Sequence, residues 1–180
     1  MTPQDLDALL TGEQVQLFPY QRAVYGRDTL YWMWRMVEAE GTSATIFYTQ
    51  GCAHEAERGD LVEFVRYFSD PLRHVLTVVR LSDRLPIGLV WFDRVADQRH
   101  GLIGVWYQRH TTRLAREGTR LATRYAFEVL GFARLDGWTP WKPAVRHGLA
   151  LGWQPVATLP QLITLDGTPH DVYVLRMEKG

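Results

Sequence analysis

Cysteine is almost absent: Cys52 stands alone in 180 residues, so no internal disulfide can form. A single thiol fits a reducing compartment, and a cytoplasmic protein with Cys52 partly buried is expected. No apolar run reaches the ~18 residues that a membrane span requires. The stretch from Met1 to Leu10 carries Asp5 and Asp7 and no basic flank, unlike a signal peptide. Lysine is scarce as well. Lys142 and Lys179 are the only two among 20 basic residues, and the others are arginines. Guanidinium groups suit flat, bidentate contact with carboxylate or phosphate, although the base composition of a gene produces the same bias. The formal net charge is zero, which weighs against strong non-specific binding to nucleic acid. Zinc spacing, a Gly-x-Ser-x-Gly elbow, a Walker loop and a dinucleotide fingerprint are all missing, and His54-Glu55 lacks the second histidine of a zincin helix.

What is present is ample apolar material: 46% of residues are hydrophobic, enough for a packed core, and the length suits one domain over residues 1–180. Gln14 to Phe18 reads as a strand stopped by Pro19. A helix is expected from Asp28, as its cap, to Ala39, with Leu30, Trp34 and Val37 on one face and Gly41 as its stop. Tyr31, Trp32, Met33 and Trp34 make it aromatic nearly all round, as in a buried or covered helix. Ser43 to Tyr48 is a candidate strand. Asp60 and Glu63 have capping-box spacing before a helix that buries Leu61, Phe64, Val65 and Phe68 and ends ahead of Pro71.

The pattern then becomes β-rich: His74 to Leu81, Ile87 to Phe92 and Leu102 to Tyr107, joined by polar turns at Ser82-Asp83-Arg84 and at Ala96 to Arg99, predict an antiparallel meander. A long helical segment ends near Leu130 with Gly131 as its stop. It sets Leu114, Gly118, Leu121, Tyr125 and Val129 on one side and Arg113, Arg116, Arg120 and Arg124 on another. A strand at Arg134 to Trp138, a helix at Pro143 to Leu151 and strands at Val156 to Thr158, Leu162 to Leu165 and Val172 to Met177 complete the chain, with a hairpin turn at Asp166-Gly167.

Several short motifs fall in a definite order. Leu85-Pro86-Ile87-Gly88-Leu89-Val90, Ile103-Gly104-Val105-Trp106, Tyr125-Ala126-Phe127-Glu128-Val129-Leu130-Gly131, Pro143-Ala144-Val145-Arg146 with Leu151-Gly152-Trp153, and Asp166-Gly167 with His170-Asp171 resemble motifs of the GNAT superfamily of N-acetyltransferases. The ribosomal-protein Rim-type branch is the closest in pattern, and the resemblance spans roughly Gln14 to Met177. It implies an α/β (α+β) fold: a single GNAT-like domain with a mixed, mostly antiparallel sheet flanked by helices and with splayed central strands.

The resemblance also implies a site. In this family acetyl-CoA lies between the splayed fourth and fifth strands, which assigns Val105, Trp106 and Tyr107 to cofactor binding. Its pyrophosphate meets amides at the start of the next helix, through the pattern Gln/Arg-x-x-Gly-x-Gly/Ala. One register lays that pattern on Arg113, Arg116 and Gly118-Thr119; a second, counted back from Phe127, lays it on His110, Arg113 and Ala115. The first keeps an arginine, the final glycine and the threonine, and is preferred; either way one glycine is lost. Trp141 stands where Rim-type relatives place an asparagine on the pantetheine arm, Ala144 replaces a nearby serine, and Gly148 stands where other branches carry a tyrosine as general acid. Asp136 on the fifth strand and Asp93 at the end of the third are the candidate catalytic bases. His100 and His110 bracket the fourth strand, and His147 and His170 show no partner in the sequence.

The resemblance implies an acyl-CoA-dependent N-acyltransferase that takes acetyl-CoA and a small-molecule or peptide amine acceptor. Trp32, Trp34, Tyr48 and Phe64 are candidates for the acceptor side, and aromatics on the first helix favour a homodimer. Two other readings stand beside it: a binding or assembly module without turnover, suggested by the eroded loop and missing acid, and a nucleic-acid-modifying relative that uses the arginine row.

Overall fold

The computed structural model describes residues 2–20, 22–42, 61–95, 99–165 and 167–180. The chain begins with α1 (Pro3–Leu10), which sequence reading did not anticipate. Its signal is local: Thr2 Oγ1 accepts from the Asp5 N–H at 3.2 Å, and the Asp5 carboxylate accepts from the Thr2 N–H at 2.8 Å. That is a capping box, with Pro3 at the first helical turn. There follow β1 (Val15–Pro19), α2 (Arg22–Ala39), α3 (Leu61–Phe68), β2 (His74–Arg80), β3 (Pro86–Arg94) and β4 (His100–Tyr107). Then come α4 (Thr112–Glu128), β5 (Arg134–Thr139), α5 (Lys142–Ala150), β6 (Gln154–Leu165) and β7 (Thr168–Glu178). The seven strands among the described residues join one sheet in the order β1-β2-β3-β4-β5-β7-β6, antiparallel except where β4 meets β5.

Strand alternation divides the apolar residues between two faces. On one face Leu76, Val78, Ile87, Val90 and Phe92 pack with Leu9 of α1 and with Leu121, Ala122, Tyr125 and Ala126 of α4. On the other, Val75, Leu89, Trp91 and Trp106 pack with Leu30, Met33, Trp34 and Val37 of α2 and with Phe64 and Phe68 of α3. Phe68 and Trp91 meet edge to face at 5.2 Å between ring centroids. The Arg73 guanidinium lies 3.2 Å from the Tyr67 ring centroid, and Arg73 Nε donates to Asp93 at 2.7 Å. That pair ties the end of α3 to β3.

The architecture expected from the motifs is the one observed, with corrections at the edges. Helix α2 starts at Arg22, so Asp28 lies inside it and is not its cap. Tyr31 and Trp32 are exposed rather than covered, because the 3.6-residue period turns only Leu30, Met33, Trp34 and Val37 toward the sheet. Gly41 does stop the helix, at φ +65°, with the Thr42 N–H returning to the Val37 carbonyl at 3.1 Å. The two short strands expected near the C-terminus are one strand, β6, whose register shifts between Leu159 and Ile163. The expected strand at Ser43 to Tyr48, the Asp60 cap, Cys52, His54, the turn residues 96–98 and Asp166 lie outside the described residues.

Gly104 explains one motif. It pairs with Trp91 across β3 and β4, and a Cβ there would run into the Trp91 indole, which is 2% exposed. Gly104→Ala should therefore destabilise the fold by about 1–3 kcal/mol through overpacking. Urea denaturation measures it; an unchanged midpoint would contradict the packing described.

Candidate active site

Strands β4 and β5 pair at only three positions, His100–Arg134, Gly101–Leu135 and Leu102–Asp136. Beyond these, β4 continues along β3 to Tyr107 and β5 continues along β7 to Thr139. Each strand keeps its outer neighbour while the two part from each other. Backbone parity shows what the gap exposes. The Gln108 N–H donates to the Ile87 carbonyl at 2.9 Å, and the His100 carbonyl accepts from the Val95 N–H at 3.0 Å, so even-numbered residues of β4 turn their peptide groups toward β3. The register between those strands is unbroken from Gly101 to Tyr107. Ile103, Val105 and Tyr107 consequently direct theirs into the gap.

A cavity of about 690 Å³ fills the space between the parted strands. Its walls include Tyr107, Thr119 and His147 on the α4/α5 face and Trp106, Glu40 and Thr42 on the α2 face, so it passes through the sheet. On the α2 face, Trp106 Nε1 donates to Thr42 Oγ1 at 2.7 Å. The Arg109 N–H donates to both Glu40 carboxylate oxygens, at 3.0 and 2.9 Å. These bonds fasten the C-terminal end of α2 to the segment that leads into α4.

On the opposite face, three side chains from three elements join in a chain. Tyr107 Oη and Thr119 Oγ1 are 3.1 Å apart, and Thr119 Oγ1 is also 3.1 Å from His147 Nε2. Burial holds the His147 imidazole below its ordinary pKa, and the charge of Arg116 acts in the same direction. Burial pushes the Tyr107 hydroxyl well above its usual range, keeping it protonated. Sequence reading passed over His147 because its partners lie 28 and 40 positions away. The available signal was its place next to Gly148, where the resemblance looks for an acid.

Of the residues assigned to the cofactor, Val105, Trp106, Tyr107, Thr119 and Trp141 line the cavity. Arg113 and Arg116 are exposed on α4 outside that lining, as are Arg120 and Arg124. Gly118 is buried inside the helix, where a Cβ would lie 2.8 Å from Tyr107 Oη; it serves close packing of α4 on β4. Because α4 opens at Thr112, the first-turn amides belong to Thr112, Arg113 and Leu114. That first turn lies nearer the register through His110, Arg113 and Ala115 than the one through Arg116 and Gly118-Thr119.

The two carboxylates proposed as bases are both held by arginines. Asp136 accepts from Arg176 Nε at 2.8 Å, lies 3.4 Å from Arg134 Nε, and is absent from the cavity lining. Asp93 is held by Arg73 at the far end of β3. Strand alternation and these cations, rather than the cavity, determine where both point. His110, at φ +69°, and His100 are likewise outside the lining. No group of three metal-ligating side chains occurs among the described residues, and no helix among them is long and apolar enough to cross a membrane.

Comparison with solved structures bears on this geometry. A spermidine N-acetyltransferase from Vibrio cholerae, in complex with CoA and spermine, superposes with a TM-score of 0.69 at 14% identity, over 93% of this chain and 96% of that one. A GNAT-family acetyltransferase from Bacillus anthracis gives 0.69 at 13% identity, over 94% and 97%. A proposed ribosomal-protein-serine acetyltransferase from Vibrio cholerae gives 0.67 at 14% identity, over 94% and 97%. The fold is that of the GNAT acetyltransferases. The GNAT fold accounts for the strand order and the parted strands together, and the similar scores do not single out the Rim-type branch. No family model and no curated protein matches the sequence.

The His147 environment has a consequence for stability. Its folded-state pKa lies below the unfolded value of about 6.5, so the unfolded chain binds more protons below that pH. Stability should fall as pH drops from about 6.5 toward the lowered value. His74, lowered by burial and by Arg94, adds in the same sense. His147→Gln should flatten the decline measured by thermal unfolding between pH 7.5 and 5; an identical decline would contradict a buried, neutral imidazole. Asp136→Asn should lower the urea midpoint by leaving Arg176 and Arg134 without the Asp136 carboxylate; an unchanged midpoint would contradict the pairing.

Proposed function

We propose that this chain is an acyl-CoA-dependent N-acyltransferase that moves an acetyl group from acetyl-CoA to an amine. The observation that carries the reading is the parting of β4 from β5 after Leu102 and Asp136, with peptide groups of Ile103, Val105 and Tyr107 facing the cavity between them. A pantetheine arm carries two amides and complements such a row of donors and acceptors. The first-turn amides of α4 at Thr112, Arg113 and Leu114, with the helix dipole, favour a pyrophosphate at that end. The exposed Arg113 and Arg116 side chains on the same helix supply cations where the usual pattern supplies glycine.

Within this site the chain's own groups have limited tasks. The cavity orients the thioester against the incoming amine, which turns an encounter into a local step. A gap-facing N–H of β4 would stabilise the oxyanion. The α2 face, where Glu40 is the carboxylate in the wall, is the acceptor's entrance, and its charge suits an amine that arrives as a cation. The solved neighbour bound to CoA and spermine makes a polyamine a reasonable first acceptor to try. A binding module without turnover is the competing reading, favoured by the displacement of Asp136 and Asp93 from the cavity and by Gly148.

Gly137 provides the test. Its missing Cβ would sit 3.4 Å from Ile103 Cγ2 and 3.7 Å from the Trp153 ring, inside the gap. Gly137→Leu should fill the gap and weaken acetyl-CoA binding at least tenfold by calorimetry, with far-UV circular dichroism unchanged. Equal affinity in the variant, or no binding by the wild type at millimolar acetyl-CoA, would overturn the reading. Acetylation of any amine, read by mass spectrometry, would exclude the binding-module alternative.

A further inference from the structure

We propose that Tyr107, Thr119 and His147 form a proton relay serving the acyl transfer, with His147 as its reservoir. The proposal rests on the acyltransferase reading and assigns a task that neither Asp136 nor Asp93, both held by arginines, is placed to perform. Three observations converge on it. All three side chains line the cavity, they come from β4, α4 and α5, and they are bonded in sequence at 3.1 Å each. Three apolar groups would fill this interface between elements equally well. A hydroxyl–hydroxyl–imidazole chain adds something that packing does not need: each member can pass one proton and take another.

The step balances as follows. An acceptor that arrives as a cation first gives one proton to solvent; its neutral nitrogen then attacks the thioester carbonyl carbon and the C–N bond forms. The proton it sheds goes to Tyr107 Oη, the Tyr107 proton passes to Thr119 Oγ1, and the Thr119 proton passes to His147 Nε2, leaving an imidazolium. As the C–S bond breaks, its electron pair stays on sulfur. The imidazolium then returns its proton through Thr119 and Tyr107 to the thiolate. Nothing is oxidised or reduced, and the three side chains end as they began.

The surroundings suit a reservoir that holds its proton briefly. Arg116 of α4 is the charge acting on the ring. Lys142 and Arg146 lie on its own helix and are exposed. Strands β5, β6 and β7, also packed on α5, contribute only Gly137, Trp138, Thr139 and Leu175 to the cavity wall, none of them titratable near neutrality. Glu40 and Arg109, on the α2 face, are bonded to each other.

The test uses the full chain and the variants His147→Gln, Thr119→Val and Tyr107→Phe. Far-UV circular dichroism checks that each variant folds, and calorimetry with acetyl-CoA separates any change in cofactor affinity from a change in kcat. Thiol release with spermidine and with lysine-containing peptides, from pH 5.5 to 9, should show kcat reduced about 100-fold in each variant. The part of the wild-type acid limb set by His147, below the ordinary histidine range, should be missing in His147→Gln, leaving only the dependence set by the acceptor amine. Titration of the thiol of bound CoA supplies a readout without an acceptor: its pKa should rise in Tyr107→Phe and Thr119→Val. If the wild type binds no acetyl-CoA, the acyltransferase reading falls and the relay falls with it. If the wild type turns over and the variants keep its kcat and acid limb, the relay alone is overturned. If acetyl-CoA binds but none of these amines reacts, an unshifted CoA thiol pKa in both variants overturns the relay and a raised one supports it.

Discussion

The constraint on which this molecule depends is the short parallel ladder between β4 and β5. Three residue pairs hold the two halves of the sheet in one body, and the strands then separate. Separation is tolerable because β4 remains bonded to β3 and β5 to β7 along their whole lengths. Only one side of each strand leaves the ladder, and the peptide groups on that side face a cavity instead of a neighbour. The cavity's walls, its two faces and its fit to a chain of amides all follow from that break.

The glycines near the break show how closely sequence and packing are tied. Gly104 leaves space for the Trp91 indole across the sheet, and Gly118 lets α4 settle against Tyr107. Gly137 keeps the gap itself open. None of these three serves a turn; at Gly104 and Gly118 a methyl group would press on an aromatic side chain, and at Gly137 it would meet Ile103 and Trp153 at ordinary contact distance. Charged groups are distributed with similar economy. Asp136 and Asp93 anchor arginines that join strands and helices, whereas the polar groups at the cavity on the α4/α5 face are hydroxyls and an imidazole that burial keeps uncharged. A carboxylate locked to a guanidinium gives up little as a base, and a neutral imidazole in a hydroxyl chain is better placed to take a proton.

Much of the fold was legible in the chain. The alternation in His74 to Tyr107 disclosed the meander, Gly41 and Gly131 marked helix ends, and the motifs around Ile103 to Trp106 and Tyr125 to Gly131 indicated the order of elements. These are local signals, written within a few residues of what they specify. Helix α1 is equally local, specified by the capping box of Thr2 and Asp5. The start of α2 was misplaced because Asp28 resembles a cap, and a cap differs from an interior aspartate only in its backbone conformation.

The sequence by itself determined which segments are strands and helices, which faces are apolar and which elements follow one another, since period and turn chemistry act over short range. Only the tertiary structure decided which side chains meet at the cavity. Tyr107, Thr119 and His147 come together because β4, α4 and α5 pack around the parted strands, while Asp136 and Asp93 point to arginines on other elements. Those contacts bridge 12 to 40 positions along the chain, and no local pattern encodes which distant cation or hydroxyl a side chain will find.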